Sequence, residues 1–492
     1  MSYLDLDIVS MHNALVEGKV KVSDLVKESI KRAKENKDNA FEIILEEDAI
    51  KEALELDKLP VEKDNYLFGI PYVAKDNFST KDIETNASSN ILNGYIPLFD
   101  ATVIKLLKEK KAVLIGKSTM DELAMGGTGT SGHKGITFNP YDKTHTRLIG
   151  GSSCGSAAAV SSSIVPFALG SDTGDSVRKP AHYSGLVGLK PTWGQISRFG
   201  LFPFAPSLDH VGYFTRSVKD SALLLNVLAK HDDNDSTSSY KVRDDYFTKT
   251  ISNIKGKKIA IIKEIIDSIH DEVMLKKFNE SLEYLKNCGA KIEYVSVDPK
   301  LLEAVYGAYF VISCAEATSN NANLDGIKFG PYYGGKTYQE VMFNSRTKGF
   351  SPLIKRRFVI GSYSLMRENQ EELFLRAQKA RHLIVNTFNK IYEDYDAVYL
   401  LAGPKVAPRF DESSEKLSNS YLIADNYLAI GNFGGYPSIT IPLGFENDLP
   451  FGANITSKPF DEVSMFDISL ALEDFTHFKD LSILNYKEKE GK

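Results

Sequence analysis

The chain has 492 residues, 42% of them hydrophobic and 25% charged, enough to bury a sizeable core and, on length, to form two to four domains. Its 59 basic and 65 acidic residues leave a formal charge of −6, which excludes a globally basic surface for a polyanion, so any nucleic acid would be held by another protein chain. Three cysteines, Cys154, Cys288 and Cys314, lack the paired spacing of a zinc or redox motif, and a reducing cytoplasmic setting is expected.

The first residues, MSYLDLDIVSMHNALVEG, carry acids where a secretory leader carries cations, and no run approaches the roughly 18 apolar residues of a membrane span. No membrane contact is expected. From Asp7 to about Asp57 the pattern is helical: Leu25, Val26 and Ile30 share a face behind Ser23 as a cap, and Ala49, Ala53, Leu54 and Leu56 follow. Residues 1–60 are expected to form an N-terminal helical arm packed on a body of residues 61–480, with 481–492 as a C-terminal tail. After Phe68 strands and helices alternate through GIPYVA, TVIKLLKEKK, AVLIG, a small-residue helix at AAAVSSS and the apolar run IVPFALG. Such alternation predicts α/β layering. The polar stretch Lys230 to Asp245 reads as a hinge or surface loop. Beyond it come a strand at KKIAIIKE, a helix from Asp271 to Cys288, a strand at KIEYVSV and a long helical region from about Ser351 to Tyr395. AVYLLAG and SITIPLGF read as buried strands, and a helix follows near Phe460 to Phe475. One interleaved α/β body accounts for this order better than separable domains.

The most unusual local composition is Gly150 to Ser176, GGSSCGSAAAVSSSIVPFALGSDTGDS. Gly-rich turns let main-chain N–H groups approach a ligand closely, and the serines offer a nucleophile or a proton relay. Composition alone fits ordinary turn chemistry as well. A phosphate-binding loop is disfavoured, because neither cluster carries its lysine. The nine histidines, among them His133, His145, His182 and His210, show no paired ligand spacing, and no metal site is expected.

GGSSCGSAAAV followed by GSDTGDSVRKPA and GLVGLKPTWG resembles the signature of the amidase family, and GIPYVAKDN upstream resembles the segment bearing that family's catalytic lysine. Ser152 precedes Ser176 by 24 positions, the interval between the family's relay serine and its nucleophile. The likeness spans roughly Asn65 to Phe475 and implies the amidase-signature fold, a central mixed, twisted β-sheet covered by helices on both sides. It also implies that Ser176 attacks an amide carbon, that Ser152 relays protons and that Lys75 is the base. Backbone N–H groups of Thr173, Gly174, Asp175 and Ser176 would form the oxyanion hole. A lysine base has to be neutral, and the apolar residues before Lys75 suit a burial that lowers an ammonium from about 10.4.

The chain departs from the family pattern at Asp175, where glycine is usual, and at Lys179, where glutamine is usual. A left-handed Asp175 would cost on the order of 1–2 kcal/mol. Its carboxylate, about 6 Å from the oxyanion, would oppose it by roughly 3 kcal/mol, on the order of a hundredfold in rate. Opposite charges four positions apart predict that Asp175 turns away and pairs with Lys179 or Arg178. Cys154, also glycine in the family, reads as a packing variant, and FGANITS replaces the family's usual GLQ-like segment.

MDELAMGG, AEATSNNANLDGIKFG and the pair KGF and IKRRFVIGSYSL resemble, within the family, the A subunits of glutamyl-tRNA(Gln) amidotransferases. That likeness implies a glutaminase that supplies ammonia, with Tyr309, Arg357 and Asp425 holding free glutamine. A guanidinium suits the α-carboxylate and an aspartate the α-ammonium. It also implies a heterotrimer with B and C subunits, with Glu-tRNA(Gln), ATP and magnesium held mainly by the partner and no cofactor in this chain. Two other readings share the core residues: a stand-alone amidase of broader specificity, and a scaffolding subunit weakened through Asp175.

Overall fold

In the computed structural model, residues 2–241, 243–412, 418 and 420–490 are described. The apolar, β-branched runs of the sequence become strands, most of them buried along their whole length: β1 (Phe41–Ile44), β2 (Pro71–Lys75), β3 (Val113–Ser118), β4 (Phe167–Asp172), β5 (Val187–Lys190), β6 (His210–Thr215), β7 (Lys258–Ile262), β8 (Lys291–Val295), β9 (Ala397–Leu401), β10 (Ser438–Glu446) and β11 (Leu449–Ser457). They form one eleven-stranded sheet in the order β1-β3-β2-β4-β6-β5-β10-β11-β9-β7-β8. β2 runs parallel to both β3 and β4, and β7 to β8 and β9, whereas the remaining pairs are antiparallel. The sheet is therefore mixed, as the family likeness implies, and helices flank it in the α/β layering that the alternation predicts.

The N-terminal segment departs from its helical expectation. Helices α1 (Ile8–Val16), α2 (Val22–Glu35) and α3 (Glu46–Leu56) form, but between the last two, Phe41–Ile44 adds an antiparallel edge strand to β3. Ser23 is not the cap of α2: the cap position is Lys21, and Ser23 is buried in the first turn with its N–H donating to Asp57 Oδ1 at 3.3 Å. The described residues between Lys230 and Asp245 form neither helix nor strand. The loop is fastened to the body, with Asp232 accepting from Ser197 Oγ at 2.6 Å and from Thr102 Oγ1, so its geometry is that of a surface loop and not of a free hinge.

Further helices along the chain include α4 (Thr102–Glu109), α5 (Cys154–Ser161), α6 (Arg178–Ser184) and α7 (Val218–Leu228), of which α5 and α6 flank the site. Every residue of α5 is buried, which its alanine, glycine and serine content allows. Parallel β2 and β4 end at Lys75 and Asp172, and α5 and α6 begin just beyond the same edge. The C-terminal edge of parallel strands is where open α/β sheets place their sites. Among the described residues, no helix is long and apolar enough to cross a membrane.

Candidate active site

β2 is buried at all five positions, and it delivers Lys75, with 0% of its surface exposed, into a shell of hydroxyls. Lys75 Nζ lies 2.7 Å from Ser152 Oγ, 2.9 Å from Ser153 Oγ and 2.9 Å from Ser171 Oγ. Asn77 Nδ2 donates to the same Ser171 hydroxyl at 2.9 Å. Lys117, one strand away, is equally buried but pairs with Asp76 at 3.1 Å. Asp76 is thus engaged by Lys117, and among the described residues Lys75 has no ion-pair partner. Burial without a counter-ion brings Lys75 down to about 7, against the opposing pull of Cys154, Asp121 and Asp172.

Ser152 is fixed by its backbone. Its carbonyl accepts the Asp121 N–H at 3.1 Å, and the neighbouring Ser153 N–H donates to Ser176 O at 3.2 Å. Asp121 in turn accepts the N–H groups of Thr128, Gly129, Thr130 and Ser131. A Cβ on Gly151 would stand 1.9 Å from Asp121 Oδ2, so only glycine lets the serine loop close on this carboxylate. The structure thus brings Lys75 into contact with Ser152 and seats Ser176 against the 152–153 segment.

Ser176 sits in the turn between β4 and α6. Asp172 organises that turn: it accepts the N–H groups of Val177 at 3.0 Å and Arg178 at 3.4 Å, and pairs with the Arg178 guanidinium at 2.9 and 3.1 Å. Despite burial, Arg178 holds the Asp172 carboxyl well below the usual carboxylate range. Arg178 also donates to Gly174 O at 2.8 Å and Asn432 Oδ1 at 2.7 Å. With that carbonyl occupied, the N–H groups of Thr173, Gly174, Asp175 and Ser176 donate to no acceptor among the described residues. Four successive unspent donors beside a serine are what a developing oxyanion needs.

The expected ion pair between Asp175 and Lys179 or Arg178 is not formed. Arg178 is committed to Asp172, and Lys179 Nζ donates to Asp425 Oδ1 at 2.9 Å, Asp425 O at 3.0 Å and Ala402 O at 3.4 Å. An ammonium has three donors, and this site satisfies all of them. Asp175 is half-buried, its carboxyl has no hydrogen-bond or ion-pair partner among the described residues, and burial, opposed by Lys179, pushes it up to about 7. Burial thus favours the uncharged form of Asp175, which softens the expected opposition to an oxyanion. Its φ is not positive, so the left-handed strain expected of it is not incurred.

Tyr309 (helix Pro299–Asn320), Arg357 (helix Pro352–Leu365) and Asp425 converge on the outer side of this loop. A Cβ on Gly174 would lie 2.8 Å from the Tyr309 ring. The Arg357 guanidinium stands over the rings of Phe310 at 5.2 Å and Phe204 at 5.9 Å, and its Nη1 is buried with no hydrogen-bond partner among the described residues. That placement separates Arg357 from a merely solvated helix face. Ser153, Ser171, Asn77, Asp172 and Asn432 support the site without having been singled out in the sequence, although Ser153, Ser171 and Asn77 lie inside the family-like segments. Asp172 and Arg178 stand inside the signature run, whereas Asn432 has no local signal.

The family model Amidase matches residues 24–466. Among curated relatives, the glutamyl-tRNA(Gln) amidotransferase A subunit of Pediococcus pentosaceus is 40% identical over 484 residues, covering 97% of this chain and 98% of the relative. That of Staphylococcus epidermidis is 42% identical over 465 residues, covering 92% and 94%. Among solved structures, the glutamyl-tRNA(Gln) amidotransferase A subunit of Thermotoga maritima superimposes with a TM-score of 0.79 at 34% identity, covering 96% of this chain and 95% of that one. The native peptide amidase of Stenotrophomonas maltophilia gives 0.79 at 25%, covering 96% and 97%.

Proposed function

The chain belongs to the amidase family, beside the A subunits of glutamyl-tRNA(Gln) amidotransferases, and on that footing we propose that it hydrolyses glutamine to supply ammonia for converting Glu-tRNA(Gln) to Gln-tRNA(Gln). One observation carries the chemistry: Lys75, without a counter-ion and brought down to about 7, stands 2.7 Å from Ser152. A neutral Nζ has two N–H donors and one lone pair. The Ser153 hydroxyl donates to Ser171 O at 3.1 Å, so its oxygen and that of Ser171 take the two donors, and the lone pair is left for the Ser152 proton.

Ser176 Oγ adds to the amide carbon of glutamine as its proton passes through Ser152 to Lys75. The oxyanion is held by the amides of residues 173–176, where losing one donor costs about 2.7–4 kcal/mol of barrier. Collapse of the intermediate returns the proton from Lys75 through Ser152 to the nitrogen. Ammonia leaves and a glutamyl ester remains on Ser176. Water, deprotonated through the same relay, hydrolyses the ester to glutamate and frees Ser176. The unpaired Nη1 of Arg357 suits the substrate α-carboxylate, with Tyr309 beside it, while Asp425, expected at the ammonium end, is already paired with Lys179 at 2.9 Å.

The ammonia passes to a partner subunit that holds Glu-tRNA(Gln), ATP and magnesium, and a third, smaller subunit braces the pair. The formal charge of −6 suits a chain that leaves the phosphates to others. Large apolar side chains exposed between residues 327 and 383, such as Tyr332, Tyr338, Phe343, Val359 and Tyr363, support a protein partner.

A glutamine analogue with an electrophilic carbonyl tests this reading. It is expected to add its acyl mass to Ser176 in the wild type and not in Ser176→Ala. A chain that takes up no mass would be a scaffold. Glutamine turnover that survives Arg357→Ala would instead favour an amidase of broader specificity.

A further inference from the structure

Asp425, the carboxylate read as the partner of the substrate α-ammonium, already holds an ammonium belonging to the protein. Lys179 is anchored there by three oxygens, and its side chain is only 5% exposed while Asp425 keeps 31%. A carboxylate neutralised by a buried lysine attracts a second cation weakly. One residue before the nucleophile, Asp175 presents the opposite situation: a half-buried carboxyl with no partner among the described residues. It is coupled electrostatically to Lys179 and Asp425 on one side and to Tyr309 on the other. With Asp175 ionised, it and Asp425 balance Lys179 and Arg357, which leaves a neutral pocket suited to a zwitterion.

We propose that Asp175 takes the α-ammonium of the amino-acid substrate, while Lys179 keeps Asp425 ionised behind it. The inference rests on the glutaminase reading and names a specificity residue for it. The carboxyl, pushed up to about 7 in the empty site by burial, ionises when the ammonium arrives, because an opposite charge favours the charged form. Two carboxylates in one pocket without the lysine would compete for a proton. Asp175 and Lys179 thus act as one exchange, in which the ammonium partner moves from Asp425 to the residue beside the nucleophile.

Calorimetric binding to the Ser176→Ala protein, purified together with any chains that accompany it, removes turnover from the measurement. The two probes are glutamine and glutaramate, which lacks only the α-amino group. Adding Asp175→Asn is expected to weaken glutamine about 10- to 100-fold, the effect of losing a charge-assisted hydrogen bond, and to leave glutaramate nearly unchanged. Adding Lys179→Gln to that protein is expected to return most of the preference, since Asp425 is then released. Equal weakening of both probes by Asp175→Asn, or no weakening of glutamine, would overturn the proposal while leaving the glutaminase reading intact. Absence of glutamine binding to the Ser176→Ala protein itself would overturn both.

Discussion

Two fully buried lysines lie near the ends of adjacent parallel strands, on opposite faces of the sheet, and their partners differ: Lys117 has Asp76 at 3.1 Å, and Lys75 has hydroxyls. Burial then outweighs the pull of Cys154, Asp121 and Asp172 on Lys75 and brings it down to about 7, where it suits a base near neutrality. Because the active form is neutral, kcat/KM for glutamine is expected to rise about tenfold per pH unit below about 7 and to level off above it. Asp175 also titrates at about 7, so the same profile measured on Asp175→Asn assigns the limb: it persists there if Lys75 is its source. Lys75→Met is expected to lose about a thousandfold or more in rate while keeping its thermal transition, which is read by calorimetry beside the assay. The contact of Lys75 with Ser152, and the place of Ser176 beside it, were legible because ordered segments of the chain carry all three residues. The partner of Lys179 was not. Charges four positions apart suggested Asp175, but a buried ammonium seeks three acceptors, and those lie on Asp425 and Ala402, more than 220 positions away. No local pattern encodes such a contact.

At the scale of elements, the β4-to-α6 connection is a strand end, a serine turn and a short helix held together by one ion pair. Asp172 accepts the first amides of α6 and the Arg178 guanidinium, and Arg178 fixes the Gly174 carbonyl. Arg178→Met leaves a buried carboxylate without its partner and is expected to destabilise the fold by about 3–5 kcal/mol, seen as a lower denaturant midpoint. The folded-state pKa of Asp172 is depressed, so its contribution is fully present above the unfolded value of about 3.9 and is lost as pH falls below it. The variant should therefore show less acid-induced loss of stability than the wild type. The strands that sequence made visible were β2, β3, β4, β7, β8, β9 and β10, each carrying an apolar or β-branched run. β5 (VGLK) is short, β11 (LPFGANITS) is broken by proline and glycine, and β1 is four residues between helices. Their strand state comes from their neighbours in the sheet, which local composition does not contain. Helix Pro299–Asn320 escaped for a related reason, since apolar residues occur around most of its circumference and blur a single face.

Across the whole molecule, the expected helical arm turns out to be tied to the far end of the chain through buried charge. Asp220 Oδ1 and Oδ2 accept the Ile8 N–H at 3.2 and 3.1 Å, Glu473 accepts the Val218 N–H at 2.8 Å, and Lys479 pairs with Asp7. Arg216, with 2% of its surface exposed, donates to Leu4 O, Leu6 O and Val165 O. These acids come from distant parts of the sequence and read individually as surface residues, so only the fold reveals the cluster. Burial pushes Asp220 and Glu473 up to about 8 and Asp480 to about 6. Raised carboxyl pKa values contribute stability that is fully present below the unfolded values of about 4 and is lost as pH rises through the folded ones. The arm is therefore expected to be held more firmly at about pH 6 than at about pH 9, as ionisation accumulates repulsion around Asp220, Glu473 and Asp480. Hydrogen exchange of the amides in Ile8–Val16, corrected for intrinsic rate, should show protection falling over that interval. Asp220→Asn keeps an acceptor for Ile8 but cannot ionise, and should flatten the fall. Arg216→Met strips three carbonyls of their donor, two of them buried, which at about 1–3 kcal/mol for each unsatisfied buried group is enough to free the arm at any pH. A pH-independent loss of protection in Arg216→Met, set beside a pH-dependent one in the wild type, would separate the clamp from the titrating acids around it.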